Sequence, residues 1–146
     1  MRSYENRIQN AVNAHQSGQL EPARQAYLTL LQERPDDPAL LRYLGALYLQ
    51  TGNLEEAERL LSRAVGLEPG EASGRLNLSM VLHDLGKIEP ALEHANQAIA
   101  LARTNHDALN NRAVIYQSID RHEDALRDLQ RAAKLKPISA DVWTNI

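Results

Sequence analysis

From Pro38 to Leu67 the chain reads "PALLRYLGALYLQTGNLEEAERLLSRAVGL", with apolar residues at helical rather than strand spacing. Leu41, Leu44, Gly45 and Tyr48 recur at three- and four-residue steps and share one helical face. "TGN" then breaks the pattern, Gly52 being suited to the left-handed position just past a helix end. A second helical pattern follows on Ala57, Leu61 and Ala64, and Pro69 closes it. The stretch predicts two antiparallel helices joined by a tight turn.

The same unit recurs along the chain. Gly18, Gly52 and Gly86 are 34 residues apart, and so are Ala23, Ala57, Ala91 and Ala125. Pro35, Pro69 and, one unit skipped, Pro137 keep the phase. If Pro38 is position 1 of a 34-residue unit, position 8 is Ala11, Gly45, Ser79 and Ala113. Position 27 is Leu30, Ala64, Ala98 and Ala132. Small residues recur there because paired helices approach closely only where side chains are short. Larger residues at positions 4, 7, 11 and 24 fill the space between units. Pro22 and Pro90 stand in the first turn of a second helix, where a missing N–H costs nothing. Helices are expected near 4–17, 20–34, 38–51, 54–67, 72–85, 88–102, 106–119 and 122–135.

This pattern resembles the tetratricopeptide repeat, a helix–turn–helix of the form W-x2-L-G-x2-Y…A-x3-F…A…P. The resemblance implies an all-α, right-handed α-solenoid with repeats at about 4–37, 38–71, 72–105 and 106–139 and a partial fifth at 140–146. Arg7, Asn10, Arg75 and Arg112 depart from it at apolar positions, and Asp120 stands where the turn glycine belongs. Asp tolerates the left-handed conformation better than most residues, so the turn should survive. Trp143 and Ile146 take positions 4 and 7 of a fifth unit, so the sequence reads as the N-terminal part of a longer protein.

The faces that are spare follow from helix geometry at 100° per residue. Positions 2, 6, 9 and 13 point away from the packed side. In proteins of the resembled family the first helix of each unit lines a concave wall, so these positions would form the floor of a groove. Position 6 carries Gln9, Tyr43, Asn77, Asn111 and Asn145; position 9 carries Val12, Ala46, Met80 and Val114. An Asn amide offers donor and acceptor together and pairs with one peptide unit of an extended chain. The three Asn resemble the asparagine ladder of the superhelical repeats of O-linked N-acetylglucosamine transferase. Packed helices about 8–10 Å apart would meet an extended peptide, rising about 3.3 Å per residue, at about every third residue.

The expected peptide-binding residues are therefore Asn77, Asn111 and Asn145 with Tyr43, Met80 and Val114, flanked by Arg42 and Asp84. Glu5, Asp84, Asp107 and Asp141 make the floor acidic, which favours a neutral or basic segment. Related domains clamp the terminal carboxylate of chaperone tails with Lys, Asn and Arg. Ile8, Val12 and Ser73 stand at those places here, so that mode is not expected.

Composition narrows the function further. The chain has 146 residues, 43% apolar and 24% charged, with a net charge of −3, 4% aromatics, no Phe and no Cys. A net negative charge argues against nucleic acid, and the lack of Cys excludes disulfides and thiolate metal sites. No apolar run is long enough for a membrane span, and a cytoplasmic location is expected. No catalytic residues, metal site or cofactor are indicated. His15 and His83 share a repeat position but lie two repeats apart. Glu55, Glu56 and Glu58 sit at a helix start, where the dipole favours them. The expectation is a protein-interaction module that is not itself an enzyme. Its alternative is a substrate-recruiting or regulatory segment of a larger, glycosyltransferase-like enzyme. Self-association through the end near Trp143 is a third possibility.

Overall fold

A computed structural model describes residues 3–135. They form α1 (Tyr4–Gln16), α2 (Leu20–Glu33), α3 (Pro38–Thr51), α4 (Leu54–Leu67), α5 (Ala72–Asp84), α6 (Ile88–Leu101), α7 (His106–Ser118) and α8 (His122–Leu135). Each expected helix is present, and each boundary lies within one residue of its expected place. The expected fifth unit, with Asn145, Trp143 and Ile146, lies outside the described residues.

The turns explain the regularity. Gly18, Gly52 and Gly86 have φ of 85°, 85° and 80°, and Asp120 adopts 61° in the same role. In each turn the next N–H reaches back to a helix carbonyl: Gln19 to Ala14, Asn53 to Tyr48, Lys87 to Leu82 and Arg121 to Tyr116, at 2.8–2.9 Å. That backward bond satisfies a carbonyl that the helix end would otherwise orphan. The odd-numbered helices start on side-chain caps: Ser3, Asp37, Glu71 and Asn105 each accept from first-turn N–H groups.

Within each hairpin the small residues of the repeat are buried. Ala23, Ala57, Ala91 and Ala125 are at most 1% exposed. Gly45 faces Leu61 so closely that a Cβ there would stand 2.6 Å from Leu61 Cγ. Between hairpins, every even helix touches the odd helix after it. The α1–α3, α3–α5 and α5–α7 pairs also touch, whereas no two even helices do among the described residues. Closer spacing along the odd helices bends the stack towards them. The result is an all-α helical repeat solenoid with α1, α3, α5 and α7 on its inner wall.

Arginine replaces leucine at two packing positions, and the structure supplies partners that the repeat pattern could not show. Arg75 of α5 donates to the Pro69 carbonyl, His94 Nδ1 and Gln97 Oε1. Arg112 of α7 makes a two-pronged pair with Asp128 of α8 at 2.7 and 2.6 Å and donates to Asn96 of α6 at 3.0 Å. Asp128 is 5% exposed. The apolar core divides near here: one cluster runs from Ala11 through Ala95 and includes Ile115. A smaller one holds Ala98, Ile99, Ala108, Leu109 and Ala132.

The Arg75–His94 contact gives a pH prediction. A guanidinium only donates, so His94 Nδ1 is the acceptor and the ring is neutral. Burial, then the neighbouring Arg75 charge, lowers the His94 pKa below the ordinary histidine value. The unfolded chain therefore takes up this proton first as pH falls. Stability from His94 is present above the ordinary histidine range and is lost on acidification towards the lower folded value. Urea midpoints at pH 7.5 and 5.0 should differ less for His94→Gln than for the parent. An equal acid loss in both would remove His94 as the cause.

Candidate functional site

The inner wall contains one hollow that gathers much of the expected site. It lies between α5 and α7, holds about 400 Å3, and is lined by Leu76, Asn77, Met80, Asp107, Asn110, Asn111 and Val114. Four of the expected residues, Asn77, Asn111, Met80 and Val114, are thus neighbours. Met80 is 37% exposed and Val114 49%. The α5 and α7 backbones carry these residues at equivalent repeat positions, so they face the same way.

The two amides are not equivalent. Asn77 makes no side-chain hydrogen bond among the described residues, so its donor and acceptor are both free. Asn111 Nδ2 donates to Ser79 Oγ at 2.7 Å, and that hydroxyl donates to the Leu76 carbonyl at 2.8 Å. Ser79 is fully buried, so Asn111 satisfies its second bonding site. The carbonyl and the second N–H of Asn111 remain for a ligand.

Tyr43, Arg42 and Asp84 do not line the hollow. Tyr43 belongs to α3, stacks on Tyr27 with ring centroids 6.0 Å apart, and is half-buried. Burial and the Tyr43 ring neighbour push the Tyr27 phenol up to about 12, so it keeps its proton and meets His15 Nδ1 at 3.1 Å. His15 also reaches Gln50 of α3, at 2.9 Å, and so joins the first two hairpins. Arg42 donates to Ser73 Oγ at 3.2 Å, and Ser73 donates to the Glu71 carboxylate at 2.8 Å. The Ser73 hydroxyl and amide hold Glu71 below the usual carboxylate range. Arg42 thereby ties α3 to the start of α5. Asp84 stands exposed at the end of α5, with its carboxylate 3.6 Å from His83 Nδ1.

Leu76 and Asn110 are the lining residues that helix-wheel reasoning on positions 2, 6, 9 and 13 passed over. Both occupy position 5, about 40° round the helix from position 9. On an isolated helix that places them at the flank. In the stack, α5 and α7 lie side by side, and the flank becomes the wall between rungs.

The hollow has one acidic group, Asp107, whose side chain is 71% exposed. Leu76, Met80 and Val114 give it an apolar floor, beside which Asn77 keeps its amide free. Among the described residues no group of three or more His, Asp or Glu could hold a metal ion. No described helix is long and apolar enough to cross a membrane.

Comparison with known proteins agrees with the repeat fold. Three family models, each described as tetratricopeptide repeat, match residues 14–76, 72–105 and 107–136. Over 98 residues the chain is 32% identical to the human protein O-mannosyl-transferase TMTC1, a match covering 67% of this chain and 11% of that protein. It is 44% identical over 52 residues to the Hsp70-Hsp90 organizing protein of Triticum aestivum, covering 36% of this chain and 9% of that one. The chain therefore spans a small part of these relatives' length. Its fold is similar to that of the thermophilic TPR protein TTC0263 of Thermus thermophilus, with a TM-score of 0.85 at 21% identity, over 92% of this chain and 75% of that one.

Proposed function

Because the chain belongs to the tetratricopeptide-repeat family, we propose that it is a protein-interaction module that holds an extended segment of a partner along its inner wall. The observation that carries this is the α5–α7 hollow, where two amides and two exposed apolar side chains converge. Asn77 and Asn111 each pair with a peptide unit, while Met80, Leu76 and Val114 take up an apolar side chain of the segment. Asp107, with Asp84 beyond the end of the hollow, favours a segment carrying Lys or Arg. Tyr43 and Arg42 of α3 stand one unit along the same wall, and Asn145 lies outside the described residues.

The magnitudes set the mode of use. At about 0.5–1.5 kcal/mol net per hydrogen bond, two amides contribute only a few kcal/mol. Millimolar binding already needs about 4 kcal/mol, so the apolar contacts and neighbouring units must supply the rest. Long, weak and sequence-tolerant gripping follows. The likeness to a mannosyl-transferase, over 11% of that protein, is the observation on the side of the enzyme-segment alternative, while the likeness to the Hsp70-Hsp90 organizing protein favours the interaction module.

The test is selection from a random peptide library on the immobilised protein, followed by titration of the selected peptides. They should be extended, enriched in Lys or Arg and depleted in Asp and Glu. Asn77→Ala should weaken them about tenfold, the loss of one to two hydrogen bonds. Val114→Asp, which leaves the fold intact because the side chain is exposed, should abolish binding. Peptides that bind both variants as well as the parent would refute the α5–α7 site.

A further inference from the structure

The amide of Asn111 is held in one orientation by a residue beneath the inner wall. Ser79 of α5 is fully buried, and its hydroxyl stands 2.8 Å from the Leu76 carbonyl and 2.7 Å from Asn111 Nδ2. A hydroxyl carries one proton. With that proton given to Leu76, the oxygen can only accept, so Asn111 must turn its NH2 group to Ser79. Turning the amide over would set two oxygens face to face or cost the buried hydroxyl its bond to Leu76. Asn111 Oδ1 is left without a partner among the described residues, at the wall of the hollow.

Asn77, at the same repeat position one unit earlier, has no such anchor. Ser79 precedes Asn111 by 32 residues, and the residue that precedes Asn77 by the same interval is Gly45, which has no side chain. Serine would not fit in that place, because a Cβ there would stand 2.6 Å from Leu61 Cγ. Alanine fills it in the first and fourth hairpins, as Ala11 and Ala113. Packing thus asks only for a small residue, and the Ser79 hydroxyl serves something else.

We propose that Ser79 is a positioning residue that makes Asn111 a fixed acceptor, so that the α7 rung takes a segment only where it offers a peptide N–H. The assignment rests on the inner-wall reading and deepens it by naming what the ligand must present. Asn77 is free to turn either end of its amide to a peptide unit, whereas Asn111 is not. The consequence is register. The residue facing Asn111 is never proline, which lacks the N–H. The residue facing Asn77, about three places away along an extended chain, carries no such restriction.

An amide-to-ester scan reads this directly, because an ester replaces one N–H by oxygen with little change of shape. The probes are the peptides selected on the immobilised protein, each remade with a single ester at every position in turn. One position should weaken binding about tenfold, through the lost hydrogen bond and the oxygen now facing Asn111 Oδ1. Every other position should cost about threefold or less. In Ser79→Ala the amide can turn its NH2 group to the ester, so the sensitive position should also fall to about threefold. A purely structural role for Ser79 would weaken all the peptides alike and leave the tenfold position in place. In the peptide-free protein, NMR should show one side-chain N–H of Asn111 exchanging slowly with water. Ser79→Ala should remove that protection, while the Asn77 amide exchanges rapidly in both proteins. A flat ester profile, a profile that Ser79→Ala leaves unchanged, or equal protection of Asn111 in the two proteins overturns the proposal and leaves the inner-wall reading standing. A library that yields no binder, or binders that Val114→Asp holds as tightly as the parent, overturns both.

Discussion

Arg112→Ala is expected to destabilise the protein by about 3–5 kcal/mol, the range for removing one partner of a buried ion pair. Arg112 holds both oxygens of Asp128, whose side chain is 7% exposed. Without the guanidinium, that carboxylate stays in a largely dry interface with its charge uncompensated. The desolvation penalty then appears in full. Asn96 loses its bond to Arg112 as well. Because each unit contacts only its neighbours, the loss should be local. Hydrogen exchange should show α7 and α8 opening while α1 to α4 keep their protection.

The converse change separates charge from packing. Leu44 and Leu78 occupy the equivalent position in the second and third hairpins. The double replacement Arg112→Leu with Asp128→Leu removes both charges and restores the apolar pattern. It should leave stability unchanged or raise it by about 1–4 kcal/mol, although either single leucine is destabilising. Chemical denaturation followed by circular dichroism measures all four corners of the cycle. A loss under about 1 kcal/mol for Arg112→Ala would show that water reaches Asp128 and that the pair is a surface one.

Gly45→Val should cost about 3 kcal/mol, at the upper end of what overpacking does. Alanine in place of glycine in a helix ordinarily gains about 0.5–1 kcal/mol. Here the added Cβ would lie 2.6 Å from Leu61 Cγ and 2.9 Å from one of its methyls. Leu61 is wholly buried and has nowhere to move, so repulsion outweighs the gain and the β-branched side chain makes it worse. Gly66 of α4 is the control, because nothing lies within 4 Å of a Cβ built there. Gly66→Ala should therefore stabilise by about 0.5–1 kcal/mol. Leu61→Ala opens room opposite Gly45, so Gly45→Ala should be milder in its presence by 1 kcal/mol or more. Additive losses would mean that the two residues are not opposed.

The inner-wall site was partly visible beforehand. The repeat period alone put Asn77 and Asn111 in phase, with Met80 and Val114 one turn on. Which wall residues join them depends on how α5 and α7 sit side by side, and that drew in Leu76 and Asn110. Tyr43 and Arg42 share the outward arc but turn to Tyr27 and Ser73, partners supplied by other helices.

The amino-acid sequence by itself determined the eight described helices, their turns and their pairing, because these depend on local spacing, on chain reversal at Gly18, Gly52, Gly86 and Asp120, and on small residues recurring in phase. Only the tertiary structure decided that Arg112 takes Asp128 and that Asn111 shares its amide with Ser79. The physical reason is range. A helical period records which face a residue is on, whereas hydrogen bonds, ion pairs and hollows depend on which faces are brought together, and that is set by the stacking of whole helices.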